Sequence, residues 1–544
     1  MGARRAAVAV AALGVLTAAG LTGCARNPRS SLPRAARRPD AATIVHLLNR
    51  VGYGPRPGDP GDIARVQRLG IAAFIDQQLH PETIADADLD WRLQPLTTRM
   101  ADARTFAVRY YLPMVAARAE MAAQRAGRLP PGKPLRALLT PIAAVTLPGG
   151  DKPAVAIGQN EVLPEEWSFQ RRNQRVLQEL QAGKLLRAVY GERQLQEVLV
   201  DFWFNHFNVF AGKIDDKPVM LEYERDVIRP RVLGRFRDLL GAVAKSPALL
   251  FYLDNWLSRA GRLNENYARE LMELHTLGVD GGYTQPDVVD VARAFTGWTL
   301  RKPREASGFA FDDKAHDRTE KRVLGHTLKA ARGIEDGEEV LDLLARHPST
   351  ARFIATKLAR RFVADDPPPA LVDRAARTFV KTDGDLREVV RTILTSPELF
   401  DPASRRAKLK TPFEFVASAL RATGAEVAVP NAALATIAAL GEPLYQCLPP
   451  TGYGDRGAAW MATGTLIDRL NFAQALAGGR VGGARVNLAM GGTADEAPDR
   501  IIMFSLANDL SASTRQALAR ASGPRATAAL RTGLVLGAPE FQRR

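Results

Sequence analysis

Apolar residues return every three or four positions along most of this chain, which is the spacing of one face of an α-helix. The period is clear in "AATIVHLLNRVGYG" and "IARVQRLGIAAFIDQQL" and is densest between Trp167 and Leu300. It returns in "EEVLDLLARH", "TARFIATKLARRFV", "ALVDRAARTFVKT" and "LREVVRTILTSPEL". The expected fold class is therefore all-α, a large multi-helix globular protein with long Pro/Gly-rich loops. Those loops are Leu129 to Glu165, which contains "LPPGKP" and "TLPGGDKP", and a charged loop from Arg301 to Arg322. A proline after a small residue recurs in "AKSPALLFYL", "LTSPELF" and "LGAPEFQRR", which reads as repeated helix-start chemistry.

At 544 residues the chain is long enough for two or three packed units. The expected organisation is a lipoprotein signal peptide over 1–23, a disordered basic tether over 24–40 and an N-terminal helical region over 41–130. A Pro/Gly-rich loop over 131–165, a central helical core over 166–324 with the candidate site, and a C-terminal helical region over 325–544 follow.

The signal is read from "MGARRAAVAVAALGVLTAAGLTGC", where Arg4 and Arg5 precede an apolar run from Ala6 to Leu21. The small residues before Cys24 resemble the lipobox of bacterial lipoprotein signals. That resemblance implies cleavage before Cys24 and attachment of lipid, palmitate included, to it. An ordinary signal peptide in which Cys24 is incidental is the alternative. The expected location is the cell envelope, lipid-anchored at the periplasmic face or the cell surface, with membrane lipid as a partner through Cys24. Outside the first two dozen residues, no stretch approaches the roughly 18 uncharged apolar positions that a spanning helix needs.

Only Cys24 and Cys447 exist, so a lipidated chain has no internal disulfide and no thiolate metal site. The net charge of +15 falls to +13 once Arg4 and Arg5 leave with the signal. Five arginines lie between Cys24 and Asp40, a segment suited to anionic lipid headgroups. Nucleic acid is not an expected partner, because no recognition motif accompanies the charge.

Two helices place a histidine among apolar neighbours. With about 100° per residue, "NENYARELMELH" puts Asn266, Glu270 and Glu273 on one side, and His275 within the arc of Tyr267, Ala268, Leu271 and Met272. "DFWFNHFNVF" likewise gathers Asp201, Asn205 and Asn208 into a polar strip and leaves His206 among Phe202, Trp203, Phe207 and Phe210. A buried imidazole needs a partner for each nitrogen. A third histidine, His316, sits in "FAFDDKAHDRTEKRVLGHT" with Asp312, Asp313 and Asp317, and Trp298 is placed to wall a pocket beside it.

Three readings stay open. His206, His275 and His316 could converge, with Asp312 or Asp317, on a divalent metal. They could instead do metal-free acid/base work with Glu270, or be structural histidines satisfied in a helical core. The polar strips, with Asn205, Asn266 and Glu273 as ligand-binding candidates, could face each other across a groove or form solvated faces and interhelical seams. Compact metal spacings, phosphate loops and the GxSxG elbow are absent. Cys447, in "LYQCLPPTGYG", reads as a small buried hydrophobe.

"HLLNRVGYGP" at His46, "FWFNHF" at Phe202, the stretch from Asn264 to Thr299, "HDRTEKRVLG" at His316 and the closing "LVLGAPEFQRR" together resemble the bacterial DUF1800 family, a domain of unknown function. The resemblance implies a mainly helical exported protein, commonly encoded beside a second exported protein that could be its partner. The family's histidine-bearing blocks match at His206, His275 and His316. One departure is Gly452-Tyr453-Gly454, where many members have a glycine-tryptophan pair. Two functions follow as expectations. One is an envelope enzyme, hydrolytic or oxidative, using the three histidines with Asp312, Asp317 and Glu270. The other is a non-catalytic helical scaffold or ligand-binding module that docks a partner protein at the membrane surface.

Overall fold

Asp40 closes the start of the helix Ala41–Val51 by accepting a hydrogen bond from Thr43 N at 2.8 Å. Ile44, Leu47, Leu48 and Val51 then follow at helical spacing, all of them buried. The same logic repeats through the computed structural model, which describes residues 39–58, 61–106, 169–214, 217–301, 308–489, 491–521 and 527–544, with scattered positions between 108 and 127. The expected signal, Cys24, the tether up to residue 38 and the loop 131–165 lie outside the described residues.

Two helices occupy the centre, Phe169–Tyr190 and Gln194–His206. The first has no exposed residue from Gln181 onward and the second has none at all. Their polar side chains must therefore find partners inside. Lys184 on the first helix pairs with Asp201 on the second at 2.6 Å, and Arg229 pairs with Glu197 at 2.6 Å.

Around this pair the remaining helices pack in succession. Pro412–Ala422, every residue of which is buried, lies on Phe169–Tyr190. It starts with a capping box in which Thr411 and Glu414 satisfy each other's backbone. Glu265–Glu273 and Gln285–Ala294 form a helical hairpin. Pro348–Phe362, Pro369–Lys381 and Leu386–Leu394 pack on one another, and Thr463–Ala477 pairs with Ala528–Gly537. The buried core is continuous from Ile44 to Phe541, and the described residues form one compact unit. Among the described residues no helix is long and apolar enough to cross a membrane.

The fold is mainly helical rather than wholly so, because among the described residues three two-stranded antiparallel ribbons interrupt it. Two fall in and beside the segment expected to be a charged loop. Trp298–Leu300 pairs with Phe309–Phe311, and Lys321–Val323 pairs with His326–Leu328. The second ribbon turns at Leu324 and Gly325, both with positive φ, the geometry of a two-residue hairpin turn. Glu426–Val427 and Ala484–Arg485 make the third.

One backbone pairing matters for the site. Arg544 N donates to Lys408 O at 2.8 Å, and Lys410 N donates to Gln542 O at 2.9 Å. The last residues are thereby laid beside the entry to Pro412–Ala422, and Arg544 is brought onto Glu414.

Candidate functional site

His206 and His275 are together. Their ring centroids are 6.1 Å apart, both rings are buried, and Trp203, Phe207 and Phe353 surround them. His206 Nε2 lies 3.1 Å from the His275 carbonyl, which only accepts, so Nε2 carries the proton. His206 Nδ1 and both ring nitrogens of His275 have no hydrogen-bond partner. Burial, followed by the charge of Lys357, holds His275 down at about 3 and lowers His206 well below the ordinary range. Two neutral imidazoles packed among aromatic rings are the result.

His316 belongs to a different cluster. Its Nδ1 is 2.8 Å from Thr296 O and its Nε2 is 3.3 Å from Asp336 Oδ2, where Lys321 Nζ also bonds at 2.7 Å. Asp317 is taken by Arg293 at 3.0 Å, and Asp312 accepts from Lys314 N at 3.2 Å. Trp298 is a fully buried core ring stacked edge-on against Phe295 and Phe309, not a pocket wall. Among the described residues no group of three or more His, Cys, Asp or Glu side chains could hold a metal ion. The expected convergence of the three histidines fails because their nitrogens are committed to, or enclosed by, separate parts of the core.

The two polar strips have different surroundings. Asn266 is exposed, Glu273 accepts from Tyr283 OH at 3.2 Å, and burial with Glu273 beside it raises Glu270. The strip on Gln194–His206 opens instead on a pocket of about 70 Å³. Asp201 and Asn205 line it together with Glu414, Glu442, Tyr453 and Arg544. Asn205 Nδ2 donates to Tyr453 O at 2.9 Å and Asn205 Oδ1 accepts from Tyr453 N at 2.7 Å, while Asn208 Nδ2 donates to Cys447 O and Pro449 O at 2.9 and 2.8 Å. These asparagines are a seam that clamps the 447–453 loop onto the helix. Gly452 makes the seam possible, since its φ is +72° and a Cβ there would lie 2.2 Å from Asn205 O. Tyr453 and Trp460, with ring centroids 5.9 Å apart, supply aromatic surface to the pocket despite the departure from a glycine-tryptophan pair.

Charge is unevenly distributed in the pocket wall. Lys184 Nζ, bonded to Asp201, also sits 4.9 Å from the Tyr445 ring centroid and 5.4 Å from that of Phe413. Among the described residues Glu442 has no cationic partner within ion-pair distance, and it accepts from Phe413 N at 2.8 Å. Burial, with the Asp201 charge next, pushes Glu442 up to about 8. Glu414 behaves oppositely: burial would raise it, but Arg361 and Arg544 outweigh that and hold it at about 2. At neutral pH the pocket thus presents a protonated carboxyl and an ion-paired carboxylate. Lys184, Glu442 and Tyr453 are functional candidates that the sequence reading did not single out. Cys447 is a buried free thiol raised to about 11 by burial, in keeping with a packing role.

The sequence pattern of one family, described as "Protein of unknown function (DUF1800)", matches residues 46–543. The chain belongs to that family. No curated protein and no solved structure matches it.

Proposed function

We propose that this DUF1800 chain is an envelope enzyme, lipid-anchored through Cys24, that hydrolyses a small polar bond by proton transfer in the pocket between Gln194–His206 and the 442–460 segment. The observation that carries the reading is the presence in one pocket of two carboxyl groups in contrasting settings, Glu442 buried and raised to about 8, Asp201 ion-paired with Lys184. Glu442, held neutral, has a proton to give to a leaving atom. Asp201, ion-paired with Lys184, can take one from an entering water or hydroxyl. Such paired proton transfers supply about 10²- to 10⁴-fold each. The envelope location rests on the basic start, the apolar run and the lipobox-like residues before Cys24.

The test needs no prior choice of substrate. The full-length protein is incubated with envelope polysaccharide, peptide and ester fractions in ¹⁸O-labelled water, and products are read by mass spectrometry. Labelled products that fall at least a hundredfold in both Glu442→Gln and Asp201→Asn support the reading. Absence of labelled products with every fraction, or products indifferent to both substitutions, overturns it.

A second reading, a module that docks a partner at the membrane surface, is favoured by one feature. Leu466, Ile467 and Leu470 are exposed on one face of Thr463–Ala477. An apolar face of this kind suits a protein partner, such as the co-encoded exported protein.

A further inference from the structure

We propose that the pocket wall built by Arg361, Lys408 and Arg544 is a subsite for an oxyanion, the carboxylate, phosphate or sulfate head of the molecule that enters; this rests on the reading of the pocket as the working site. The argument is a count of charges. Lys184 is matched by Asp201, Lys408 by Asp365, Arg456 by Asp366 at 2.7 Å, and Asp455 by Lys357 at 3.5 Å. Arg361 and Arg544 are left to share Glu414. Arg361 Nη1 lies 2.7 Å from Glu414 Oε1 but out of line for a hydrogen bond, and Arg544 reaches the same carboxylate through Nη2 at 3.0 Å and Nε at 3.1 Å. Thr411 N occupies it as well, at 3.0 Å. One carboxylate cannot balance two buried guanidinium groups.

Asp201 and Asp455 favour the charge of Arg361 from a distance, but Arg544 is not relieved in the same way. Arg544 Nη1 is buried without a partner, and its side chain is 4% exposed. Arg50, fully buried, adds another cation whose Nε and Nη1 are unbonded. Glu442 is neutral at physiological pH and offers no compensation. Burial, then repulsion from Arg361, lowers Arg544 to about 10, and burial with Arg544 lowers Lys408 to about 8. Guanidinium nitrogens in a fixed fork are the usual grip on planar or tetrahedral oxyanions. The pocket, at about 70 Å³, has room for such a head group and not for a large ligand entire.

Inorganic phosphate, and acetate in a parallel arm, is titrated into the full-length protein at constant ionic strength, with binding read by calorimetry and thermal unfolding. We expect saturable binding of at least one of them, with a rise in unfolding temperature that chloride does not reproduce. Arg544→Gln should weaken that binding at least tenfold. Without oxyanion it should unfold at the same or a higher temperature than the parent, because Glu414 then has one guanidinium instead of two. Arg361→Gln should show the same weakening, which covers the case in which the first variant does not fold. Shifts no larger than those from chloride, or both variants binding like the parent, overturn the subsite. Glu442→Gln separates the two claims. It should bind oxyanion as the parent does while losing hydrolysis; oxyanion binding with hydrolysis indifferent to Glu442 removes the acid role alone, and Glu442-dependent hydrolysis without oxyanion binding removes the subsite alone.

Discussion

Lys184 Nζ stands 2.6 Å from Asp201 Oδ1, an ion pair that bridges the two central helices at the wall of the pocket. The lysine side chain is 10% exposed and the aspartate 23%, so the pair is mostly desolvated but not fully so. Lys184→Met alone should destabilise the protein by roughly 2 kcal/mol, since it strands a carboxylate in a poorly solvated wall. Adding Asp201→Asn should recover much of that loss. A double-mutant cycle by urea denaturation checks it, and additive losses would contradict the coupling.

Glu442 makes stability fall with rising pH. A carboxyl raised in the folded state, from 4.5 to about 8, keeps its proton there while the unfolded chain releases it. Its contribution is therefore complete below pH 4.5 and is lost as the pH climbs toward 8. Glu442→Gln should gain on the parent by roughly 3 to 4 kcal/mol between pH 5 and pH 8, measured as the difference in unfolding free energy at the two values.

The histidine pair has the opposite sign. His275 is depressed to about 3, so the folded ring stays neutral while the unfolded one charges below 6.5. Stability from this ring is present above pH 6.5 and is lost as the pH falls toward 3. His275→Leu should remove about 2 kcal/mol of the difference in stability between pH 7 and pH 4.5, and should not lower stability at pH 7 by more than about 1 kcal/mol, since the ring's nitrogens are unpartnered. Hydrolysis that vanishes in a folded His275→Leu protein would place the chemistry at the histidines instead.

Gly452→Ala should cost roughly 3 kcal/mol, because a side chain at φ +72° is strained and its Cβ would press on Asn205 O. The Tyr453 loop would lift from the helix. Chemical denaturation gives the cost, and a value near zero would show that the loop adapts without difficulty.

Much of this fold is legible in the sequence because helical spacing is a local property. The burial of His206 and His275 follows from their places on the apolar arcs, and both rings are inside. The ribbon Lys321–Val323 with His326–Leu328 is not legible, since three-residue strands are too short to display alternation. The site is half legible. Asp201, Asn205 and Asn208 can be grouped by angle, but the partner of Asn205 is Tyr453, 248 positions away, and no local pattern announces it. Lys184 does leave a trace, as the lone charge between Ala182 and Leu186, in a helix with no exposed residue along that stretch. Glu414 leaves a clearer one, the capping box "TPFE" at Thr411. His316 misleads because a histidine among aspartates in a loop resembles a ligand set, whereas Thr296 and Asp336 enclose it as a structural knot.

The central claim is that Glu442 holds a proton at neutral pH because it is buried beside the Asp201 charge. Carboxyl ¹³C NMR of glutamate-labelled protein, titrated from pH 4 to pH 10, measures this directly. The account predicts one glutamate signal with a midpoint near 8 that disappears in Glu442→Gln and moves down in Asp201→Asn. A Glu442 signal that titrates in the ordinary carboxyl range, or one that ignores the loss of the Asp201 charge, would contradict it.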